Sequence, residues 1–115
     1  YLGYMLANNG ENLEEALEMI QRAVDSDPIN GAYLDSLGWV YFRLNRLELA
    51  EEYLNRAILF SSTDPTLHEH LGDLYRRSGR FDEARQAYQR SLELANDQEE
   101  RETIQEKLDE LDSEI

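Results

Sequence analysis

The residues best suited to chemistry in this sequence are two histidines and the carboxylates near them. His68 and His70 flank Glu69, a triplet that can look like a set of metal ligands. Residues two apart on a helix point about 200° from one another, whereas histidine ligands on one helix are normally three or four apart. Cysteine is absent, which removes thiolate metal sites and disulfides. We therefore predict no metal site, no cofactor and no catalytic residue.

The charge of the chain narrows the classes of partner. It has 25 acidic and 11 basic residues, a formal net charge of −14 at neutral pH. This surplus disfavours nucleic acid, whose phosphates are bound by Lys and Arg, and it disfavours anionic membrane surfaces. No apolar run approaches the roughly 18 residues of a membrane span, and no signal-peptide pattern opens the chain. We expect a soluble protein, cytoplasmic or periplasmic, with no membrane insertion.

An internal repeat determines which elements carry these side chains. Gly38 and Gly72 are 34 residues apart, and each lies in the pattern Leu-Gly-x-x-Tyr. Twelve residues after each glycine comes an alanine, Ala50 or Ala84, and four residues later a large side chain. A third copy opens the chain with a gap one residue longer; its matching residues are Gly3, Ala16 and Ile20.

Within each copy, apolar residues recur at spacings of three and four, which is typical of amphipathic helices. Glycine inside a helix costs about 1 kcal/mol relative to alanine, so the repeated glycines indicate a close approach of paired helices. Stop signals occur at 8–10, 45–46 and 78–79, and Asn12, Asp64 and Asp97 are predicted N-caps. The predicted helices are 1–9, 12–26, 31–44, 47–60, 65–78, 81–95 and 98–112.

The 34-residue period and its motif, with Pro28 closing the first copy, resemble the tetratricopeptide repeat (TPR). The resemblance implies an all-α fold, an α-solenoid of antiparallel helix pairs that winds into a superhelix. It divides the chain into a truncated first repeat (1–30), a second (31–64), a third (65–96) and an acidic capping helix (97–115). The stretch 34–44 is also similar to one found near the C-terminal ends of long bacterial multi-TPR proteins.

In TPR proteins the first helix of each pair lines a concave groove that holds a peptide or a partner helix. Trp39 directly follows Gly38, so we expect its side chain to point into that groove with Phe42 beside it, although packing between repeats is the alternative. Exposed aromatic residues rimmed by arginine have the composition of a binding hot spot. The residues predicted to line the groove are Tyr4, Asp35, Trp39, Phe42, Arg43, Glu69, Asp73, Arg76 and Arg77.

One family function is disfavoured by this comparison. Chaperone-binding TPR domains hold the C-terminal carboxylate of their ligand with lysines, asparagines and an arginine on this face. Asp35 and Glu69 occupy the places of lysines here, and Trp39 and Asp73 those of asparagines, so we expect no such clamp. The sequence predicts a non-enzymatic scaffold for a protein or peptide partner. Two alternatives are a homo-oligomerisation module acting through the open N-terminal end and the repeat region of a larger enzyme.

Overall fold

A computed structural model of the chain describes residues 12–114. No strand occurs in that range, and the predicted all-α class is confirmed. The predicted helices from residue 12 onward match the observed ones to within two residues at each end, while the predicted helix 1–9 lies outside the described residues. The helices of residues 12–114 are α1 (Leu13–Ser26), α2 (Gly31–Arg43), α3 (Leu47–Ile58), α4 (Pro65–Arg77), α5 (Phe81–Leu94) and α6 (Gln98–Glu114).

Two of the three predicted N-caps make a capping hydrogen bond. The Asp64 carboxylate accepts a hydrogen bond from the amide of Thr66 at 3.0 Å, and Asp97 accepts one from the amide of Glu100 at 2.8 Å. Asn12 occupies the predicted N-cap position of α1, but its φ of 54° is left-handed and its side chain makes no cap hydrogen bond. A capping side chain reaches the helix amides from an extended backbone, which a left-handed residue lacks.

The predicted helix stops after α2 and α4 are confirmed by left-handed residues. Asn45 has φ 61° and Gly79 has φ 77°. In each case the next amide donates to a carbonyl five residues back, with Arg46 to Tyr41 at 2.8 Å and Arg80 to Tyr75 at 2.9 Å. These bonds satisfy carbonyls that the helix end leaves open, and they turn the chain back for the second helix of each pair.

The described residues belong to two compact units that divide between Ser62 and Thr63. In the first unit, α2 and α3 form an antiparallel pair around Gly38. A Cβ at Gly38 would lie 2.7 Å from Cγ of Leu54 and 3.2 Å from the Ala50 carbonyl oxygen, so the glycine permits the predicted close approach. Beside it, the rings of Tyr41 and Tyr53 stack with centroids 5.6 Å apart.

In the second unit, α4 and α5 form the corresponding pair. The Tyr88 ring fills the space at Gly72, where a Cβ would lie 2.4 Å from the ring. The Ser91 hydroxyl donates to the Pro65 carbonyl oxygen at 2.7 Å, which ties the end of α5 to the start of α4. The α6 helix adds its predicted apolar stripe to this core; the stripe residues are Ile104, Leu108 and Leu111.

Hydropathy of the helices is modest throughout. Over residues 12–114, none of the helices combines the length and apolar character required to cross a membrane.

Candidate functional site

The first predicted surface lies on α2 in the first unit. Trp39 is half-buried, and its indole stacks on the Phe42 ring with centroids 4.9 Å apart and planes 20° apart. Asp35, one turn earlier, is buried with 8% of its surface exposed, and Arg43 at the end of the helix is half-buried. The helix therefore carries an aromatic pair in which the Phe42 ring is buried and the Trp39 ring is partly exposed.

This arrangement corrects the expectation of an exposed aromatic cluster. Phe42 is only 6% exposed, so it packs against Trp39 and offers little surface to a partner. The helical register predicts which face a residue occupies, but it does not predict what covers that face. Tyr4, the third aromatic residue of the predicted cluster, lies outside the described residues.

The second predicted surface lies on α4, where two acidic residues are bound by a lysine of α6. The Lys107 ammonium lies 2.6 Å from the Glu69 carboxylate and 3.1 Å from that of Asp73. Burial alone would lower the pKa of Lys107, but the carboxylates of Asp73 and Glu69 outweigh it and raise the pKa above its ordinary value. Both predicted site residues are thus already engaged within the chain.

Asp73 also accepts a hydrogen bond from the Tyr88 hydroxyl of α5, with the two oxygens 2.5 Å apart. Burial, reinforced by the neighbouring Asp73 carboxylate, raises the pKa of Tyr88, so the phenol remains a donor at physiological pH. Asp73 therefore joins α4, α5 and α6 through two charge-assisted hydrogen bonds, which are stronger than neutral ones.

The basic residues of the second surface lie toward the end of α4. Arg76 binds the carboxylates of Glu114 and Glu110, and its Nε lies 3.0 Å from an oxygen of Glu114. From α5, Arg85 binds Asp112 at 2.6 Å. Arg77, the next residue of α4, is exposed. The three carboxylates all belong to the last turns of α6, which lie between two arginines of different helices.

The histidine triplet and the acidic residues near it do not form a metal centre. His70 is buried, whereas His68, which the repeat register places at a packing position, is only half-buried. A cavity of about 350 Å³ is lined by Glu69 of α4, by Asp97, which caps α6, and by Glu100 of α6. Over residues 12–114, no group of three or more histidine, aspartate or glutamate side chains has an arrangement that could hold a metal ion.

Two features were missed by the sequence analysis. The first is Lys107, which stands 34 residues after Asp73 and is the only lysine among the 115 residues; extending the repeat register into α6 would have placed it on the same face. The second is a set of large apolar side chains exposed in the first unit. Ile29, Leu59 and Phe60 are 67%, 75% and 49% exposed, and no periodicity distinguishes them from core residues.

Both the sequence and the fold of the chain are similar to those of known proteins. A family described as "Tetratricopeptide repeat-like domain" matches residues 39–113, and one described as "Tetratricopeptide repeat" matches residues 10–58. The chain belongs to the tetratricopeptide-repeat family, as its repeated motif predicted. It is similar to TPR repeat-containing protein PA4667 of Pseudomonas aeruginosa, with 40% identity over 72 residues, which is 63% of this chain and 12% of that protein.

Two solved structures share the fold. The first TPR of Spaghetti (RPAP3), bound to the HSP90 peptide SRMEEVD, superposes with a TM-score of 0.83 and 23% identity over 96% of this chain and 85% of the other. PcrH in complex with the chaperone binding region of PopD gives a TM-score of 0.85 and 19% identity over 98% and 87%. The chain spans about an eighth of the length of the curated relative described above.

Proposed function

We propose that this chain is a protein-interaction scaffold that binds a peptide or helix of a partner on the first helix of a repeat, in the first unit α2, and that it performs no chemistry. The observation that carries the proposal is the half-buried Trp39, stacked on a buried Phe42. A fixed indole offers a large contact area at little further cost in side-chain entropy, which is characteristic of binding hot spots.

The packing of α2 supports this assignment. Gly38 faces Leu54 and Ala50 of α3, so the neighbouring Trp39 is displaced by about 100° around the helix from the side that contacts α3. Arg43, four residues after Trp39, lies at the next turn of the same helix. The combination of an aromatic anchor with a nearby guanidinium suits a partner that has an apolar side chain followed by an acidic group.

The structural neighbours supply a precedent for this class of function. Of the two solved structures, one contains a bound HSP90 peptide and the other contains the chaperone binding region of PopD. At sequence identities of 23% and 19%, these two structures support the fold of this chain and do not identify its partner. The chemistry of the partner therefore has to be inferred from the side chains of this chain, above all from Trp39 on α2 and Arg76 on α4.

The test is an affinity capture with the full-length protein, comparing wild type with Trp39→Ala. We expect partners to be lost with Trp39→Ala while the melting temperature of the protein changes by less than about 5 °C, which corresponds to roughly 1 kcal/mol for a domain of this size. The matched control is Tyr33→Ala, since Tyr33 also lies on α2 and is 37% exposed.

The two variants separate binding from stability. A partner that is lost with Trp39→Ala and retained with Tyr33→Ala supports a binding surface at Trp39. A collapse of the melting temperature in Trp39→Ala would assign the indole to the core, and retention of every partner by a folded Trp39→Ala protein would overturn the proposal for α2.

A further inference from the structure

The last turns of α6 are held in a way that differs from the rest of that helix. Ile104, Leu108 and Leu111 are buried, but no apolar side chain follows Leu111 within the described residues. The turn after Leu111 is exposed and is fixed by ion pairs, which contribute little when solvent reaches them. Residues 112–114 are therefore held to the second unit by ion pairs and not by apolar packing.

Residues 110–114 carry three carboxylates, those of Glu110, Asp112 and Glu114, and no basic residue. These carboxylates are bound by Arg76 and Arg85.

Arg76 and Arg85, which we call the arginine pair, contact the segment from two directions. Residues 110 and 114 lie on one side of the helix and bind Arg76, while residue 112 projects to the other side and binds Arg85. Arg76 offers both Nε and a terminal nitrogen to Glu114, the forked geometry with which a guanidinium recognises a carboxylate. The arginine pair thus has the geometry of a receptor for carboxylates.

We propose that the arginine pair is a binding site for an acidic segment of a partner protein, and that residues 110–114 are an intramolecular occupant which this segment displaces. The inference rests on the proposed scaffold function and names the chemistry of one partner. Displacement exchanges one set of exposed ion pairs for an equivalent set, so the energetic cost of opening the site is small.

The site favours carboxylates over the phosphates of nucleic acid. Its observed occupants are three carboxylates with a spacing of two residues. The chain as a whole has a net charge of −14, and nine acidic residues fall between 97 and 115. This surrounding charge disfavours a long nucleic-acid chain, and it limits the binding of an acidic peptide to its contacts with the arginine pair.

The experiment uses a fluorescein-labelled synthetic peptide with the sequence of residues 106–115, EKLDELDSEI, and measures its anisotropy at low ionic strength. The receptor is the chain with Glu110→Gln, Asp112→Asn and Glu114→Gln, which removes the charges of the occupant. We expect this variant to bind the peptide about tenfold more tightly than wild type, the factor expected from removing a weak intramolecular competitor. Adding Arg76→Gln and Arg85→Gln should abolish the gain.

A matched control variant removes the same number of charges from another part of α6. Glu102→Gln, Glu106→Gln and Asp109→Asn also remove three carboxylates from the exposed part of α6, and we expect wild-type affinity from that variant. Equal tightening in this control would reduce the effect to net charge and overturn the proposal. Failure of the peptide to bind the first variant, with its circular dichroism unchanged, would do the same.

Two further outcomes are decisive. If a ten-nucleotide oligo-dT binds the first variant more tightly than the peptide, the site is a general anion site and the proposal is wrong. If the peptide does not bind while Trp39-dependent capture of partners persists, the scaffold function stands and this inference alone is rejected.

Discussion

The hydroxyl of Tyr88 donates to the carboxylate of Asp73, and this one hydrogen bond links the core of the second unit to its polar surface. The ring of Tyr88 lies against Gly72 inside the helix pair, while its oxygen reaches the residue that also binds Lys107. A side chain that fills the space at a glycine therefore also fixes the carboxylate on which α6 is held.

Removing only this hydroxyl should weaken the second unit. We expect Tyr88→Phe to lower the free energy of unfolding by about 1–2 kcal/mol, because a hydrogen bond to a charged group in a partly buried setting is lost. Urea unfolding followed by circular dichroism measures the change. The control is Tyr53→Phe, which removes a hydroxyl from a half-buried tyrosine whose ring contacts Tyr41 and Arg56. Equal losses in both variants would contradict the role of the bond.

The close packing at Gly72 predicts that a better helix former is harmful there. Alanine should stabilise a helix interior by about 1 kcal/mol relative to glycine, but its Cβ would lie 2.4 Å from the Tyr88 ring. Overpacking typically costs about 1–3 kcal/mol, so Gly72→Ala should be destabilising in thermal unfolding. If the clash is the cause, Gly72→Ala combined with Tyr88→Leu will lose less than the sum of the two single variants. A stabilised Gly72→Ala protein would refute this explanation.

Gly79 offers a contrasting case in the same unit. No atom lies within 4 Å of a Cβ placed on it, but its φ is +77°. Alanine is disfavoured there by its backbone conformation, with an expected loss of about 1 kcal/mol. Unlike the loss at Gly72, this one should be independent of the residue at position 88, which a double variant with Tyr88→Leu would reveal in the same assay.

The raised pKa values of Tyr88 and Lys107 predict a loss of stability in alkaline solution. A pKa that is higher in the folded state means that folding favours the protonated form. The contribution of such a group is complete below its unfolded pKa, about 10 for both side chains, and is lost as the pH rises through the folded pKa. Urea unfolding between about pH 8 and pH 11 should show the decline.

The double variant Tyr88→Phe/Lys107→Met provides the comparison for this pH dependence. It removes both titrating groups, so its free energy of unfolding should fall less steeply above about pH 10 than that of the wild type. Parallel pH profiles of the two proteins would show that the alkaline loss arises elsewhere. Below that pH these two groups should add no slope to the wild-type profile.

The contribution of the capping hydrogen bonds can be tested by comparing Asp97, which accepts one, with Asn12, which does not. Asp97→Ala removes the acceptor of the Glu100 amide, and we expect a loss of about 1 kcal/mol. Asn12→Gly removes a side chain without a cap hydrogen bond from a left-handed position, and it should be neutral or slightly stabilising. Thermal unfolding decides between them, and a loss at position 12 equal to that at position 97 would argue against this difference.

The helix pairs were predictable because their signals are local and repeated. Gly38 with Leu54 and Gly72 with Tyr88 stand at the same separation in two copies, so each copy supports the interpretation of the other. Asp64, which precedes Pro65, and Asp97, three residues before Glu100, could be recognised as caps from the sequence. Asn12 has the same spacing to Glu15, but residue type and spacing do not reveal its positive φ.

The candidate surfaces were harder to predict, because exposure depends on several helices at once. Phe42 and Asp35 were assigned to the right helix but are buried. Glu69, Asp73 and Arg76 have partners on α6, a helix without the repeat's glycine, so the register that would have placed Lys107 and Glu110 was not extended to it. Pairing between charged side chains leaves no periodic signal in a sequence rich in both carboxylates and arginines.

The position of Lys107 has a practical consequence for anyone who handles this chain. It provides the only lysine amine in the 115 residues, and that amine is bound to Glu69 and Asp73. Amine-directed dyes, cross-linkers or sensor-chip coupling that modify this side chain would therefore break the ion pairs that hold α6 and alter the surface being measured. Because the chain has no cysteine, a single cysteine introduced at an exposed site such as Glu106 would give a thiol handle that leaves those ion pairs intact.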